Sequence, residues 1–325
     1  MLTLARTMLV TNAPAHFVQR PFQRIATMHQ MNSLALLKAA QRQSFAGQLM
    51  VHVAKLDASD EQEVLGFLAK RPIHTVAMVG FIHDNGLVSP LNRGTFYGCR
   101  NRQGQLEGVA LIGHATLLET TTDRAVEGLA EVAQTCTTTH MIMGEKERID
   151  DFWDYYAEAG QDMRHVCREL LFELQWPVEA LAEVPGLRLA TLDELELIMP
   201  VQAQMAFDES GVNPMERDPE GFRQRCARRI EQDRTWVWIE AGEMVFKADV
   251  VSDTSSVIYL EGVWTNAERR SQGYGLRCMS QLARTLLRRT RSVCVLVNEN
   301  NGKARKFYQR AGYKLRAVYD TIFLN

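Results

Sequence analysis

The clearest pattern of apolar and polar positions lies in the C-terminal third of the chain. Residues 257–265 are β-branched and aromatic with almost no charge, which predicts a buried strand. From Leu276 onward, apolar residues recur at spacings of three and four with arginines between them, as expected of an amphipathic helix. A second buried strand is predicted at residues 293–297, and a second helix follows Asn301 and ends at Gly312.

The two halves of the chain show the same order of predicted elements. In the second half, the remaining elements are a strand at 187–191, helices at 194–208 and 219–230, a hairpin turning at 241–243, and a strand at 316–324. In the first half, they are a strand at 49–56, a helix at 60–71, hairpin strands at 95–100 and 106–114, a helix at 124–134, a strand at 140–143, a helix at 145–159, and a closing strand at 170–174. Residues 73–83 are apolar, but their period does not decide between helix and strand. Both halves therefore predict an α/β fold with a mixed sheet.

The loop at residues 270–275 has the properties of an anion site. Gly273 and Gly275 let the backbone turn tightly and approach a ligand, and Arg270 adds a positive charge. The helix that follows presents unpaired N–H groups and the positive end of its dipole. A pyrophosphate suits such a loop. The lysine and hydroxyl residue of a P-loop are missing, and so are the three glycines of a dinucleotide fingerprint.

Two motifs in this segment resemble those of the GNAT-type N-acetyltransferases. Arg270, Gly273 and Gly275 fit the acetyl-CoA loop of that family, Arg/Gln-x-x-Gly-x-Gly/Ala. A later run fits Asn-x-x-Ala-x-x-x-Tyr followed by glycine and an aromatic residue, at Asn301, Ala304, Tyr308, Gly312 and Tyr313. The resemblance covers residues 186–325. It implies the GNAT fold there, acetyl-CoA as cosubstrate, and transfer of the acetyl group to an amine.

The resemblance also implies which residues bind acetyl-CoA. The strand before the loop would hydrogen-bond the pantetheine, the loop would hold the pyrophosphate, and the start of the last helix would contact the CoA arm. The residues at those positions are Val263, Trp264, Thr265, Arg270, Ser271, Gln272, Gly273, Tyr274, Gly275, Leu276, Asn301, Lys303 and Ala304. For Asn301 a plain helix N-cap is the alternative, and both roles are compatible.

Two residues are candidates for catalysis. Tyr308 matches the tyrosine that protonates the CoA sulfur in the family; the alternative is a core tyrosine on the apolar face of its helix. Glu261 precedes Val263 on the strand, where a buried carboxylate with a raised pKa would deprotonate the amine. Its alternative is an ion pair with a neighbouring arginine. No cysteine lies at the acetyl position and no metal cluster is visible, so we expect direct attack in a ternary complex.

The first half is predicted to be a degenerate copy of the same fold. Residues 119–123 (Glu-Thr-Thr-Thr-Asp) stand where the glycine loop would be, and carboxylates there would repel a pyrophosphate. An unrelated α/β domain of similar element order is the alternative. The predicted organisation is a helical arm at 1–48, the degenerate domain at 49–175, and the catalytic domain at 176–325.

The composition limits which binding partners and which cellular compartment are expected. A net charge of −2, from 37 basic and 39 acidic residues, argues against a nucleic-acid binder. Six scattered cysteines without C-x-x-C spacing fit a reducing cytoplasm, and no apolar run reaches membrane-spanning length. No acidic residue precedes Asp57, so a transit peptide is the alternative to a helical arm.

The expected protein is a cytoplasmic acetyltransferase whose acceptor, an amine-bearing small molecule or peptide, is set by variable loops. Residues 207–209 and Asp218 are acidic positions that would suit a cationic amine; a plain surface loop is the alternative. Three other interpretations stay open. The chain could use another acyl-CoA or acceptor, it could be an acyl-CoA-binding regulatory module, or its first half could form a homodimer interface through the aromatic residues at 152–156.

Overall fold

A computed structural model describes residues 52–325, apart from the side chains of Glu209 and Ser210. The predicted arm at 1–48 lies outside the described residues. Residues Val51–Asn325 form one compact unit. Its first half contains β1 His52–Lys55, α1 Glu61–Leu68, α2 Pro72–Asn85, β2 Gly94–Arg100, β3 Leu106–Gly113, β4 Ala115–Thr120, α3 Asp123–Gln134, β5 Met141–Glu145, α4 Lys146–Tyr156 and β6 Met163–Leu174.

The second half repeats this order with one additional short helix, Pro214–Arg217, whereas strand β4 of the first half was not among the predicted elements. The second half contains β7 Leu187–Leu189, α5 Leu195–Ser210, α6 Pro214–Arg217, α7 Pro219–Glu231, β8 Thr235–Glu240, β9 Glu243–Asp253, β10 Val257–Thr265, α8 Tyr274–Leu286, β11 Ser292–Asn298, α9 Gly302–Arg310 and β12 Lys314–Leu324. The α/β class with a mixed sheet is confirmed. Among the described strands, only β4 with β5 and β10 with β11 pair in parallel.

The undecided segment at residues 73–83 is helix α2, which Pro72 begins at its first turn. Met78 and Ile82 pack against α1 and the first half's strands. Val76, from another side of the helix, packs with Tyr259 and Cys294 of the second half. Because the helix is apolar on both sides, its sequence has no single hydrophobic stripe, and this explains why its period was ambiguous.

All the described strands form a 12-stranded sheet in the order β1-β2-β3-β4-β5-β12-β6-β11-β10-β9-β8-β7. The halves exchange their last strands. β6 does not close the first half's sheet: it lies between β12 and β11, where Glu169 pairs with Asn298. In return, β12 lies beside β5. The prediction that residues 170–174 close the first half is therefore wrong, because strand pairing between distant segments leaves no local signal in the sequence.

Candidate functional site

Strands β10 and β11 separate to form a wedge, which we call the second cleft. They pair only from Val257 with Ser292 to Leu260 with Val295. Beyond that point β10 stays on β9 through a bulge between Glu261 and Trp264. Gly262 in the bulge has φ +59°, a conformation that favours glycine. The backbone of residues 263–265 therefore faces the cleft without a β11 partner, as the resemblance to acetyl-CoA sites requires.

The glycine loop lies directly after this strand and is shaped to expose its amides. Ser271 and Gly273 both have positive φ, and α8 begins at Tyr274 without a side-chain cap. Arg270 Nε donates to the carbonyl oxygen of Thr265 at 3.0 Å, which ties the loop to the end of β10. In the described part of the chain, the N–H groups of residues 271–276 have no hydrogen-bond acceptor. Six free donors at a helix N-terminus form an anion-binding surface.

The other predicted cofactor residues lie around this loop. Val263, Trp264 and Thr265 are half-buried, residues 270–273 are exposed, and Tyr274, Gly275 and Leu276 in the first turn of α8 are half-buried. On α9, Asn301 Oδ1 accepts the Ala304 N–H at 3.0 Å, so Asn301 is an N-cap. Lys303 is exposed, and Ala304 packs against the core. A β-carbon on Gly275 would lie 3.0 Å from Thr265 Oγ1 and 3.1 Å from the Phe307 ring, so loop, strand and α9 meet at this glycine.

Tyr308 is 7% exposed and belongs to the core between α8, α9 and the sheet. Its ring is 6.5 Å from that of Phe172 on the exchanged strand β6 and 5.3 Å from that of Tyr313. Burial raises the pKa of Tyr308. The phenol therefore holds its proton at neutral pH, which is the state that a donor to a thiolate needs.

Glu261 lies at the second cleft, but it is exposed, so the expected burial of this carboxylate is wrong. The bulge that follows turns the strand toward solvent. Burial would lower the pKa of Arg229 on α7, but the charges of Asp249 and then Glu261 raise it. Among the described residues, Arg229 pairs directly with Asp249 and Glu261 affects it only through its charge, so the ion pair of the alternative interpretation is not formed.

Glu169 on β6 is a carboxylate that sequence reasoning missed. It is 9% exposed, and Thr321 Oγ1 donates to its Oε2 at 3.0 Å. Burial, with a smaller contribution from the Glu261 charge, raises the pKa of Glu169 to about 7 although the Thr321 hydrogen bond lowers it. The only signal in the sequence was a glutamate next to a predicted strand; its place beside β11 follows from the strand exchange.

A cluster of buried polar side chains packs against the bulge. Lys247 and Asp249 on β9 are 0% and 1% exposed, and Lys247 Nζ lies 2.5 Å from Asp249 Oδ2 and 2.7 Å from Gln202 Oε1. Arg229 Nη1 reaches Asp249 Oδ2 at 3.0 Å. Burial would raise the pKa of Asp249, but the Lys247 and Arg229 charges hold it below its ordinary value. These paired charges lie against Gly262 and hold the backbone of the bulge in place.

The equivalent wedge in the first half, the first cleft, is bridged by an arginine. Strands β4 and β5 pair only at residues 115–117 and 141–143 and then separate. Arg71 bridges the two strands past this point, at 3.1 Å from Glu119 and 2.6 Å from Glu145. Helix α3 has no glycine loop before it; Thr122 Oγ1 accepts the Ala125 N–H at 3.3 Å instead. The first cleft therefore lacks a loop for a pyrophosphate, and a small cavity remains beside Arg71 and Tyr319.

Of the acidic positions expected at the acceptor site, Asp218 is already paired with an arginine, whereas the charge of Asp208 is not neutralised by its hydrogen-bond partner Gln204, which is a neutral amide. Asp218 caps α7 by accepting the Gly221 N–H at 3.0 Å, and it pairs with Arg225 at 3.1 Å. Asp208 accepts a hydrogen bond from Gln204. Phe207 is 47% exposed, and the side chain of Glu209 lies outside the description. Asp218 is thus committed to capping and pairing, and it does not present a free charge to a cationic amine.

Residues 52–325 contain no group of three or more potential metal ligands. None of the helices in this range has the length and apolar character needed to cross a membrane.

Comparison with known proteins agrees with this geometry. Residues 248–322 match the family described as FR47-like protein. A GNAT-family acetyltransferase from Colwellia psychrerythraea is 12% identical with a TM-score of 0.53, over 84% of this chain and 100% of that one. A Drosophila protein is 12% identical with a TM-score of 0.61, over 84% and 98%. A tandem GNAT protein from the clavulanic acid biosynthesis pathway is 14% identical with a TM-score of 0.52, over 84% and 98%. A search of curated proteins found no match.

The two motifs, the FR47-like match and the shared architecture point the same way. The chain has the GNAT fold, in an arrangement similar to that of a tandem GNAT protein.

Proposed function

We propose that the protein transfers the acetyl group of acetyl-CoA to an amine acceptor by direct attack in a ternary complex. The observation that carries the proposal is the meeting of two features at one end of the second cleft. The backbone of residues 263–265, which stays on β9 but has no β11 partner, leads directly into the free amides of residues 271–276. A pantetheine fits the first feature and a pyrophosphate the second. The first cleft also opens where β4 and β5 separate, but it has no glycine loop and Arg71 bridges its strands, which supports a degenerate first half at 49–175 and a catalytic half at 176–325.

Each proposed residue has a defined task. The amides of residues 271–276 and Arg270 hold the pyrophosphate, Val263 to Thr265 hold the pantetheine, and Asn301, Lys303 and Ala304 flank the CoA arm. The amine attacks the thioester carbonyl carbon, a C–N bond forms, the C–S bond breaks, and the phenol of Tyr308 gives its proton to the thiolate. Glu261 and Glu169 are the two carboxylates at the cleft toward which the amine's proton can go.

The test begins with binding. Titration calorimetry with coenzyme A should show uptake by the wild type and a loss of at least tenfold in affinity for Gly275→Val, whose side chain would enter the space of Thr265 and Phe307. Gly66→Val, at an exposed position of helix α1 with nothing within 4 Å of the added β-carbon and no positive φ, is the matched control. Acetyl-CoA turnover is then screened against small amines, peptide N-termini and lysine peptides. No uptake at millimolar coenzyme A would overturn the proposal.

A second function is favoured by the depth at which Tyr308 is buried in the aromatic core. A tyrosine with a purely structural role would fit an acyl-CoA-binding regulatory module. Tyr308→Phe distinguishes the two functions. An enzyme would keep coenzyme A affinity and lose turnover, whereas a binding module would show no turnover in the wild type.

A further inference from the structure

The exchanged strand β6 carries a carboxylate into the second cleft from the other half of the chain. Residues 296–298 of β11 have β6 as a neighbour and, past Val295, no β10 partner. Glu169 pairs with Asn298, at the open end of β11. On the β11 side, the strand beside the open end of the second cleft is therefore β6, which belongs to the first half.

Glu169 also faces the correct side of the sheet. Tyr259 pairs with Cys294, and Cys294 pairs with Glu173. Because side chains alternate along a strand, Glu261 on β10 and Glu169 on β6 lie on the same face as these residues, on two strands that are separated by β11. The two carboxylates interact: after burial, their charges raise the pKa of Tyr259, and the Glu261 charge adds to the raised pKa of Glu169.

Glu169 differs from its neighbours in being held without a cation. Glu173, on the same strand and face, pairs with Arg316 at 2.8 Å. Among the described residues, Glu169 accepts a hydrogen bond from Thr321 alone. The groups around it are Glu261 and Tyr259 on β10, Tyr319 and Thr321 on β12, and Asn298 on β11. Helix α2 packs on the same face, and its His74 Nδ1 lies 2.9 Å from the Tyr319 hydroxyl. Burial and then the Arg71 charge lower the pKa of His74, so this imidazole is neutral at pH 7. None of these is a cation, so no partner holds the carboxylate permanently ionised.

We infer that Glu169, supplied by strand exchange, accepts the proton of the acceptor's ammonium, while Glu261 attracts the ammonium and strengthens Glu169 as a base. The inference rests on the proposed function. The Glu169 carboxylate takes one proton from the ammonium, directly or through a water molecule, and leaves a neutral amine. After the attack, the nitrogen loses its second proton as the C–S bond breaks, the thiolate takes the Tyr308 proton, and the nitrogen's proton returns to the phenolate through solvent. Glu169 finally releases its proton to solvent.

The test is the pH dependence of kcat/KM for acetyl-CoA turnover with the best amine of the screen. The wild type should gain activity with rising pH through a midpoint near 7, since the carboxylate form is the base. Glu169→Gln keeps the shape and can still accept the Thr321 hydrogen bond. It should lose this ionisation and fall on the order of 10²–10⁴-fold. Glu173→Gln, on the same strand and face, should retain the ionisation.

Two further variants should move the midpoint in opposite directions. Glu261→Gln removes a charge that raises the pKa of Glu169, so the midpoint should fall. Thr321→Val removes a hydrogen bond that lowers the same pKa, so the midpoint should rise. A structural role for Glu169 would produce neither shift.

The possible outcomes distinguish the proposed function from the inference about Glu169. If the wild type turns over acetyl-CoA and Glu169→Gln keeps the midpoint near 7, the inference is overturned and the proposed function stands. Loss of the ionisation in Glu261→Gln instead would assign the base to Glu261 and also overturn it. If the wild type takes up no coenzyme A, the proposed function fails and this inference fails with it. If Glu169→Gln does not fold, the opposite shifts in the other two variants decide.

Discussion

At the scale of single residues, local sequence predicted backbone conformation and helix caps better than it predicted which side chains are buried. The positive φ of Gly273 and the N-cap of Asn301 follow from local chemistry, and both are present. The burial of Glu169 and Lys247 could not be predicted from neighbouring residues. Each is enclosed by strands or helices far away in the chain, and charged residues are rarely buried without such partners.

Gly262 offers a prediction about the bulge. A β-carbon there would lie 2.9 Å from Lys247 Nζ and 3.0 Å from Asp249 Oδ2, in addition to the strain of φ +59°. We expect Gly262→Ala to lower the free energy of unfolding by about 2–4 kcal/mol and to weaken coenzyme A binding. Gly242→Ala is the control, because Gly242 has φ +80° with nothing within 4 Å and so isolates backbone strain. Equal losses in urea unfolding would show that the buried cluster does not fix the bulge.

The free energy of unfolding should depend on pH, because ionising the buried Glu169 carboxylate destabilises the folded state. Its folded-state pKa of about 7 lies above the ordinary 4.5, so the folded state binds the proton more tightly than the unfolded state. This contribution to stability is full below pH 4.5 and is lost as the pH rises through 7. Glu169→Gln should therefore be more stable than the wild type at pH 8.5, by up to about 3 kcal/mol, and much less so at pH 5.5. Thermal unfolding at both pH values measures this, and a pH-independent difference would contradict it.

At the scale of elements, period and capping predicted most helices and strands, but they missed strand β4 and the short helix α6. The exceptions are informative. Helix α2 lacks a single apolar stripe because it packs toward both halves. The pairing of β6 with β11 and β12 was not predictable, because a strand of alternating apolar residues fits several neighbours equally well.

Strand exchange predicts how the second half behaves alone. A fragment of residues 176–325 lacks β6, so β11 and β12 lose the strand between them. A fragment of residues 160–325 keeps β6. We expect the shorter fragment to unfold without cooperativity or to aggregate through exposed strand edges, and the longer fragment to unfold more cooperatively. Circular dichroism melts and light scattering compare them. A cooperative melt of the shorter fragment, with a midpoint as high as that of the longer one, would show that β6 is dispensable.

At the scale of the whole molecule, two halves of similar element order differ in what their clefts contain. Each diverging strand carries a glutamate just past its paired segment, Glu119 in the first cleft and Glu261 in the second. Arg71 pairs with Glu119 and crosses the first cleft, whereas the second cleft keeps its exposed carboxylate and its free amides. The sequence predicted this difference from the missing glycine loop. It gave no sign that each half completes the other's sheet.

We propose that the second cleft holds acetyl-CoA. A crystal structure of the full chain with coenzyme A tests it most directly. We predict electron density for the pyrophosphate on the N–H groups of residues 271–276, with the pantetheine along residues 263–265 and its sulfur near the Tyr308 hydroxyl. Coenzyme A bound in the first cleft beside Arg71, or its absence from crystals grown at millimolar ligand, would contradict the account.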